Sequence, residues 1–240
     1  MKQDIIALVL AAGKGTRKKK KKSKLVHKIY GKELVKRVVE TAKKSGVEEV
    51  VTVVGYKKEQ VQMVLGDSVK YAYQEEMLGT GHAVMQAEEY LKDKQGKVVV
   101  LNGDVPILRP ETIKKFIQKS IKNKEYATVL TAIYNNPTGY GRIVRDIGGN
   151  ITGIVEEKDA TEEQKQIQEI NGGIYCFDIQ ELLKALKKLE PNNAQSEYYL
   201  TDVVRIMNEE GLKTGAFIVE DNTEILGVND KIQFELLTKV

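Results

Sequence analysis

The sequence predicts an α/β fold: a doubly wound, mixed but mostly parallel sheet with helices on both faces. Three observations carry this. Residues 5–10 are a continuous apolar run of mainly branched side chains, the pattern of a strand buried on both faces of a parallel sheet. A loop of small residues and glycine, Ala11-Ala12-Gly13-Lys14-Gly15, closes that run. Strand-like and helix-period segments then alternate through the first half at the spacing of βα units.

Taken in order, five lysines at 18–22 follow the glycine loop. Like charges in a row repel and cannot pack, so a solvated, mobile loop is expected there. From Glu33 the period becomes helical: Leu34, Val35, Val38, Val39 and Ala42 share one face, and Gly46 closes it. Strands are expected over 49–54 and 69–73, with a helix over 57–65 between them. A helix over 81–91 leads to a buried strand over 97–102, which ends in Asn102-Gly103-Asp104. Pro110 opens a helix that continues over 111–122.

The second half is more mixed. A strand over 127–134 precedes a hairpin of 142–145 with 151–155 about Gly148-Gly149-Asn150. A strand over 170–177 is flanked by helices over 161–166 and 179–189. A helix over 196–210, a strand over 214–219 and a helix over 231–239 complete the chain. No repeat and no Pro/Gly/Ser linker interrupts it. One compact domain is expected, with the second half supplying a subdomain over one edge of the sheet.

Composition bounds the function. The chain has 240 residues, enough for a large core, and 38 Lys and Arg against 34 Asp and Glu give a net charge of +4. Five of those positive charges are the lysine run, so the remainder is close to neutral and offers no basic face for nucleic acid. The single cysteine, Cys176, excludes a disulfide framework or a cysteine zinc site, and its apolar neighbours read as core. The first apolar run is short and precedes its basic residues, the wrong order for a signal peptide. Nothing approaches a membrane span. A cytoplasmic location is expected.

The glycine loop suits a phosphate. Small residues let a ligand approach the backbone, and glycine accepts the positive φ that turns successive N–H groups into one concavity. Two common phosphate patterns do not apply. Gly13-Lys14 is followed by Gly15 rather than Ser or Thr, and Lys18 stands where a dinucleotide loop needs a third small residue. Asp104, at a strand end on the same sheet edge, is a plausible Mg²⁺ ligand, since Mg²⁺ takes one or two carboxylates plus substrate oxygens. It also reads as an ordinary turn residue. Leu78-Gly79-Thr80-Gly81-His82 opens a helix with free N–H groups and a hydroxyl, fit for a base, a ribose, a phosphate or simple capping. His82 has no second His or Cys nearby and is expected to pack or hydrogen-bond rather than bind metal. No nucleophile–base pair or catalytic carboxylate pair stands out. Nucleotidyl transfer to a phosphate needs none, because the acceptor is already mostly ionised. Alignment, cations and a metal suffice.

Motifs along the chain resemble one family. They are Leu10-Ala-Ala-Gly-Lys-Gly-Thr-Arg17, Gln74, Leu78-Gly-Thr-Gly-His-Ala83, Gly103-Asp-Val-Pro106, Pro137-Thr-Gly-Tyr-Gly-Arg142, Gly153-Ile-Val-Glu-Glu-Lys-Asp-Ala160, Gln166-Ile-Gln-Glu-Ile-Asn171, Asn193-Ala-Gln-Ser-Glu-Tyr-Tyr-Leu-Thr-Asp202 and Gly227-Val-Asn229. The set is similar to the Rossmann-like nucleotidyltransferases that join sugar 1-phosphates to nucleoside triphosphates. It looks most like the uridylyltransferase domain of bacterial bifunctional N-acetylglucosamine-1-phosphate uridylyltransferase/glucosamine-1-phosphate acetyltransferases.

The resemblance implies Mg²⁺-dependent uridylyl transfer from UTP to N-acetylglucosamine 1-phosphate, serving cell-wall precursor synthesis. It implies that Leu10, Ala11, Ala12 and Gly13 hold uridine and phosphates through backbone groups. Gln74 would read uracil, donating to a carbonyl and accepting from the ring N–H, with Gly79 and Thr80 beside it. Arg17 and Lys24 would meet the triphosphate. Asp104 and Asn229 would hold Mg²⁺, with Asn102 and Gly103 on the substrate side. Gly141, Glu156 and Asn171, with Tyr199 and Thr201 nearby, would bind the sugar in the smaller subdomain. Taken alone, Glu156 reads as part of a solvated charge run, Asn171 as a turn residue and Gly141 as a hairpin residue.

Two departures stand out. The family has a mixed segment with apolar residues where this chain has lysines 18–22, and Pro is common where Ser23 stands; the loop is expected to lack apolar anchors and activity to be reduced. No acetyltransferase repeat follows: the resemblance implies a nucleotidyltransferase domain over 1–228 and the start of a linker helix over 229–240, acting as a monomer without acetyl transfer. Competing readings are another sugar 1-phosphate such as glucose 1-phosphate, or a non-catalytic nucleotide-sugar-binding module. RNA binding lacks aromatic interleaving.

Overall fold

Strand β1 (Asp4–Ala11) lies inside a nine-stranded sheet, and its side chains alternate between two cores. Ile6 and Leu8 enter one; Ala7, Val9 and Ala11 enter the other. The computed structural model describes residues 4–13 and 22–228. A strand apolar on both sides needs cover on both, and amphipathic helices provide it. On one face α1 (Leu34–Lys44), α2 (Lys58–Leu65) and α5 (Pro110–Lys122) insert Val35, Val38, Val61, Ile113 and Phe116. On the other, α3 (Thr80–Met85), α4 (Glu88–Leu91), α6 (Ile179–Leu186) and α7 (Asp202–Glu209) insert Val84, Leu91, Leu182 and Val203. Each fully buried Leu or Val contributes about 1.5–3 kcal/mol.

The sheet order is β11 (Thr214–Ile218), β7 (Ala127–Ile133), β10 (Glu169–Asp178), β6 (Gly96–Asn102), β1, β4 (Glu49–Val54) and β5 (Lys70–Tyr73). All neighbours pair in parallel except β10, which runs against both β6 and β7. The chain steps outward from β1 to β4 and β5, then returns to the other side of β1 as β6. That reversal leaves a crevice beyond the carboxyl ends of β1 and β6, where open α/β sheets receive ligands. The hairpin of β8 (Arg142–Arg145) and β9 (Ile151–Val155) has the bounds the sequence predicts. It joins the start of β10 through the pair Ile170 and Arg142.

Several expected elements are shorter than their sequence pattern. The helix expected over 81–91 breaks between Met85 and Glu88, where Ala87 N–H bonds the Val84 carbonyl three residues back and leaves the α-helix. Residues 161–166 form only a 3₁₀ turn, Gln164–Gln166. Thr161 and Gln164 cap each other, but residues 161–163 are exposed and no apolar face rewards a full helix. The helix expected over 179–189 ends at Leu186, and that expected over 196–210 begins only at Asp202. Ahead of it, Tyr198 gives its backbone to another loop, accepting from Gly81 N–H at 2.7 Å and donating to the Leu78 carbonyl at 2.8 Å. A two-residue-per-strand hairpin, β2 (Lys28–Ile29) with β3 (Lys32–Glu33), has no clear sequence signature. The helix expected over 231–239 lies outside the described residues, as do lysines 18–21.

Strand β10 shifts register between Asn171 and Ile174. The two glycines in the bulge fit a close approach: a Cβ on Gly172 would stand 2.7 Å from the Leu130 carbonyl oxygen. Asn102 crosses from the end of β6 and donates to the Gly173 carbonyl at 3.0 Å. Asn102, at the carboxyl end of β6, is thus bonded to the bulge that follows Asn171.

Candidate active site

The crevice is knitted from backbone. Gly103 N–H donates to the Leu10 carbonyl at 2.9 Å and Tyr56 N–H to the Ala12 carbonyl at 3.0 Å. Two of the carbonyls in the first loop are thus committed to holding the ends of β6 and β4 against it. Gly13, beyond them, is exposed, and among the described residues nothing lies within 4 Å of where a Cβ would stand.

Lys24 begins a 3₁₀ turn, Lys24–Val26, whose cap is Ser23. The Ser23 hydroxyl accepts from Leu25 N–H, and its own N–H donates to Gln60 Oε1 at 2.8 Å. Leu25 is buried with Ala11 and Val61. Ser23 therefore gives a pinned turn, and Leu25 is a buried apolar residue immediately after Lys24. From this turn Lys24 Nζ reaches Asp104 Oδ2 at 2.5 Å. The Asp104 carbonyl also accepts from Val228 N–H at 2.9 Å. Arg17 and Asn229 lie outside the described residues.

Beyond β5, Gln74 donates its backbone N–H to the Val54 carbonyl at 2.8 Å, and the residue is 3% exposed. A Cβ on Gly55 would meet Ala12 at 3.1 Å and the Gln74 carbonyl at 2.6 Å, so Ala12, Gly55 and Gln74 are immediate neighbours. Gln74 Nε2 lies 3.0 Å from the Gly79 carbonyl and 3.1 Å from His82 Nδ1. The ring of His82 stands between Gln74 and Gln86, the hydrogen-bonding role expected for it. Thr80 turns its hydroxyl to the Leu200 N–H at 3.0 Å. Gly79, with φ +113°, has the Tyr198 carbonyl 2.6 Å from its Cβ position. Gly79→Ala is expected to destabilise the fold by about 2–4 kcal/mol, from a backbone conformation only glycine adopts readily plus a main-chain clash. Chemical denaturation would measure it.

On the other side of the crevice three separated residues meet. Asn171 N–H donates to the Gly141 carbonyl at 2.9 Å, and a Cβ on Gly141 would touch Asn171 Cβ and Glu156 Oε2, each at 3.4 Å. Asn171 is held by Tyr175, which accepts from Nδ2 at 2.7 Å, and by Gly173 N–H, which donates to Oδ1 at 2.9 Å. Glu156 is mostly buried; desolvation raises its carboxyl above the usual range, against a hydrogen bond from Thr201, with Asp159 and Asp202 adding to the rise. Tyr199 accepts from Gln195 Nε2 at 2.8 Å and shares with Glu156, Asp159 and Asp202 the wall of a cavity of about 310 Å³. A larger cavity, about 470 Å³ between α1 and Pro106–Pro110, contains none of the predicted residues.

Some supporting residues were not singled out by sequence reasoning. Arg142, 1% exposed, forms an ion pair with Glu157 at 2.7 Å and donates to the Tyr140 carbonyl, fixing the turn that carries Gly141. Tyr175 orients Asn171, and burial with Glu156 nearby raises its phenol well above the ordinary value. Their only sequence signal was presence within or beside a motif. The segment Tyr198–Thr201 joins both halves: it bonds the Leu78–Gly81 loop on one side and Glu156 on the other.

Gly13 after the end of β1, a Lys–Asp pair at the switch point and a polar lobe beside a bulge lie where an open α/β sheet receives its ligand. The chain belongs to the nucleotidyl transferase family, whose model matches residues 6–225. It is similar to the Bifunctional protein GlmU of Acetivibrio thermocellus, 54% identical over 229 residues that make up 95% of this chain and 50% of that one. The Bifunctional protein GlmU of Caldanaerobacter subterraneus subsp. tengcongensis is 50% identical over 99% of this chain and 52% of its own length. That of Clostridioides difficile is 49% identical over 95% and 49% respectively. The chain spans about half the length of the curated relatives it matches. It is a nucleotidyltransferase enzyme. Among the described residues no helix is long and apolar enough to cross a membrane.

Proposed function

We propose that the chain transfers a uridylyl group from UTP to N-acetylglucosamine 1-phosphate, giving UDP-N-acetylglucosamine and pyrophosphate. The observation that carries this reading is the convergence of Gly141, Glu156 and Asn171 across the bulge from the Lys24–Asp104 pair. The sugar would lie against the first three and its phosphate would face the pair. An oxygen of that phosphate attacks the α-phosphorus of UTP in line, and the bond from α-phosphorus to the bridging oxygen breaks. Lys24 and Arg17 offset the charge gathering on pyrophosphate. No side chain need remove a proton, because the attacking monoester is ionised near neutrality.

A divalent cation fits the donor set. Asp104 already holds an ammonium group at 2.5 Å, and one carboxylate with a carboxamide and phosphate oxygens is what Mg²⁺ prefers. Asp104 and Asn229 would hold it, Asn229 following the Val228 that is bonded to Asp104; bound there, it would neutralise and polarise the reacting phosphates.

The test is pyrophosphate release with UTP, N-acetylglucosamine 1-phosphate and Mg²⁺, repeated with glucose 1-phosphate and with chelator. Faster release with the acetylated sugar, abolished by chelator, supports the reading. Equal or better release with glucose 1-phosphate overturns the assigned acceptor, and no release with either sugar leaves a binding module instead.

Glu156→Gln separates binding from stability. Because burial raises the Glu156 carboxyl, the native state favours its protonated form. Its stabilising contribution is present below the ordinary carboxylate range and is lost as pH rises through the raised value. Glutamine stays neutral, so the variant should melt higher than wild type near neutrality, with the difference closing in acid. KM for the sugar phosphate should rise about tenfold. Melting curves across pH and steady-state kinetics check the two halves.

A further inference from the structure

The larger cavity, about 470 Å³, shares no residue with the crevice and has no part in uridylyl transfer. One wall is α1, where Arg37, Thr41 and Lys44 follow at the i, i+4, i+7 spacing of a single helix face. The other is the run 106–110, which adds the apolar surface of Ile107 and Pro110. Two cations of the lining are already paired: Lys32 with Glu40 at 2.5 Å, and Arg109 with Asp221 and Glu224. Glu40 is the one acid of the lining, so its charge is met within the cavity. Arg37 and Lys44 have no carboxylate partner among the described residues. The cavity is left with two unmatched positive groups.

Arg37 is held in place. Its Nε donates to the Pro106 carbonyl at 3.2 Å, and the Tyr30 ring centre lies 5.6 Å from its Cζ. Tyr30 is brought there by the two-residue turn between β2 and β3, where it stands at φ +50°, a left-handed backbone uncommon for tyrosine. A guanidinium held by Nε and by one face keeps its two terminal NH₂ groups, the fork that fits a phosphate. Neither NH₂ group has a partner among the described residues. A phosphate monoester carries close to two negative charges near neutrality, which matches the two unmatched cations. The carbon body of the ester would lie on Ile107 and Pro110, as apolar walls with a few polar groups receive small ligands. We propose that this cavity binds a small organic phosphate, with Arg37 as the fixed contact to the phosphate and Lys44 as the second. The proposal is independent of uridylyl transfer in the crevice.

Phenyl phosphate, inorganic phosphate and phenol separate the two parts of such a ligand. Titration of isotopically labelled protein, read by backbone amide shifts, gives both affinity and place. Phenyl phosphate should move the amides of residues 37–44 and 107–109. It should bind about tenfold or more tightly than either fragment, because charge and apolar contact act together. Arg37→Gln and Lys44→Gln should each weaken it by about tenfold. Lys184→Gln, on a helix of the opposite sheet face, should not. Melting curves show which variants are folded, and Lys44, exposed in the last turn of α1, is the milder change. Shifts confined to the crevice around Gly13 and Asp104 would overturn the proposal, as would wild-type affinity in either folded variant. So would phenyl phosphate that does not bind, or that binds no better than phosphate or phenol alone.

Discussion

Asp104→Asn is expected to lower Mg²⁺-dependent pyrophosphate release by on the order of 10²–10³-fold, the usual effect of deleting one electrostatic stabiliser at a transition state. The change is nearly isosteric. The backbone carbonyl of residue 104 would still accept from Val228 N–H, and Gly103 would still bond Leu10. What disappears is the charge that faces Lys24 at 2.5 Å and would share a divalent ion with the substrate. The variant should therefore fold, with a melting temperature close to wild type, and need much more Mg²⁺ for half-maximal rate. A Mg²⁺ titration of initial rates checks this. A variant of unchanged rate and Mg²⁺ requirement would remove Asp104 from the site.

Lys24→Met is expected to cost a similar factor, on the order of 10²–10³, mainly in kcat. Methionine keeps an unbranched stem, and the turn that carries it is held by the Ser23 cap and by buried Leu25, neither of which the substitution touches. The loss should appear in turnover more than in UTP affinity, because the positive charge matters most as pyrophosphate departs. The pair also predicts non-additivity: two groups in direct contact act as a unit, so Lys24→Met combined with Asp104→Asn should lose less than the product of the single losses. Initial rates of the four proteins complete the cycle.

Much of the scaffold was legible because local pattern and tertiary demand agree. Residues 49–54 and the two strands of the β8–β9 hairpin have the bounds read from sequence, since branched apolar runs between turn residues leave little alternative. Pro110 does open α5. The largest misreading falls where a distant partner claims the backbone. Residues 196–201 carry helix-compatible side chains, but Tyr198 bonds Leu78 and Gly81, more than a hundred residues away. Gly172-Gly173 lies within the strand read over 170–177, but its bulge was not legible, because only the neighbouring strands reveal the slip in register. The same distinction runs through the site. Residues that would touch substrate, such as Gln74, Asp104 and Glu156, sit in recognisable motifs. Arg142 and Tyr175 act by holding another residue, and a single sequence does not show which neighbour each one holds.

Strand β1 sends alternate side chains into each of the two cores. Neither layer can melt and leave the other intact, because both would lose the same central strand. Local opening is therefore confined to the periphery, and disruption of β1 amounts to collapse of the whole domain. The loop that would receive phosphate is tethered to the part of the protein least able to come apart by itself.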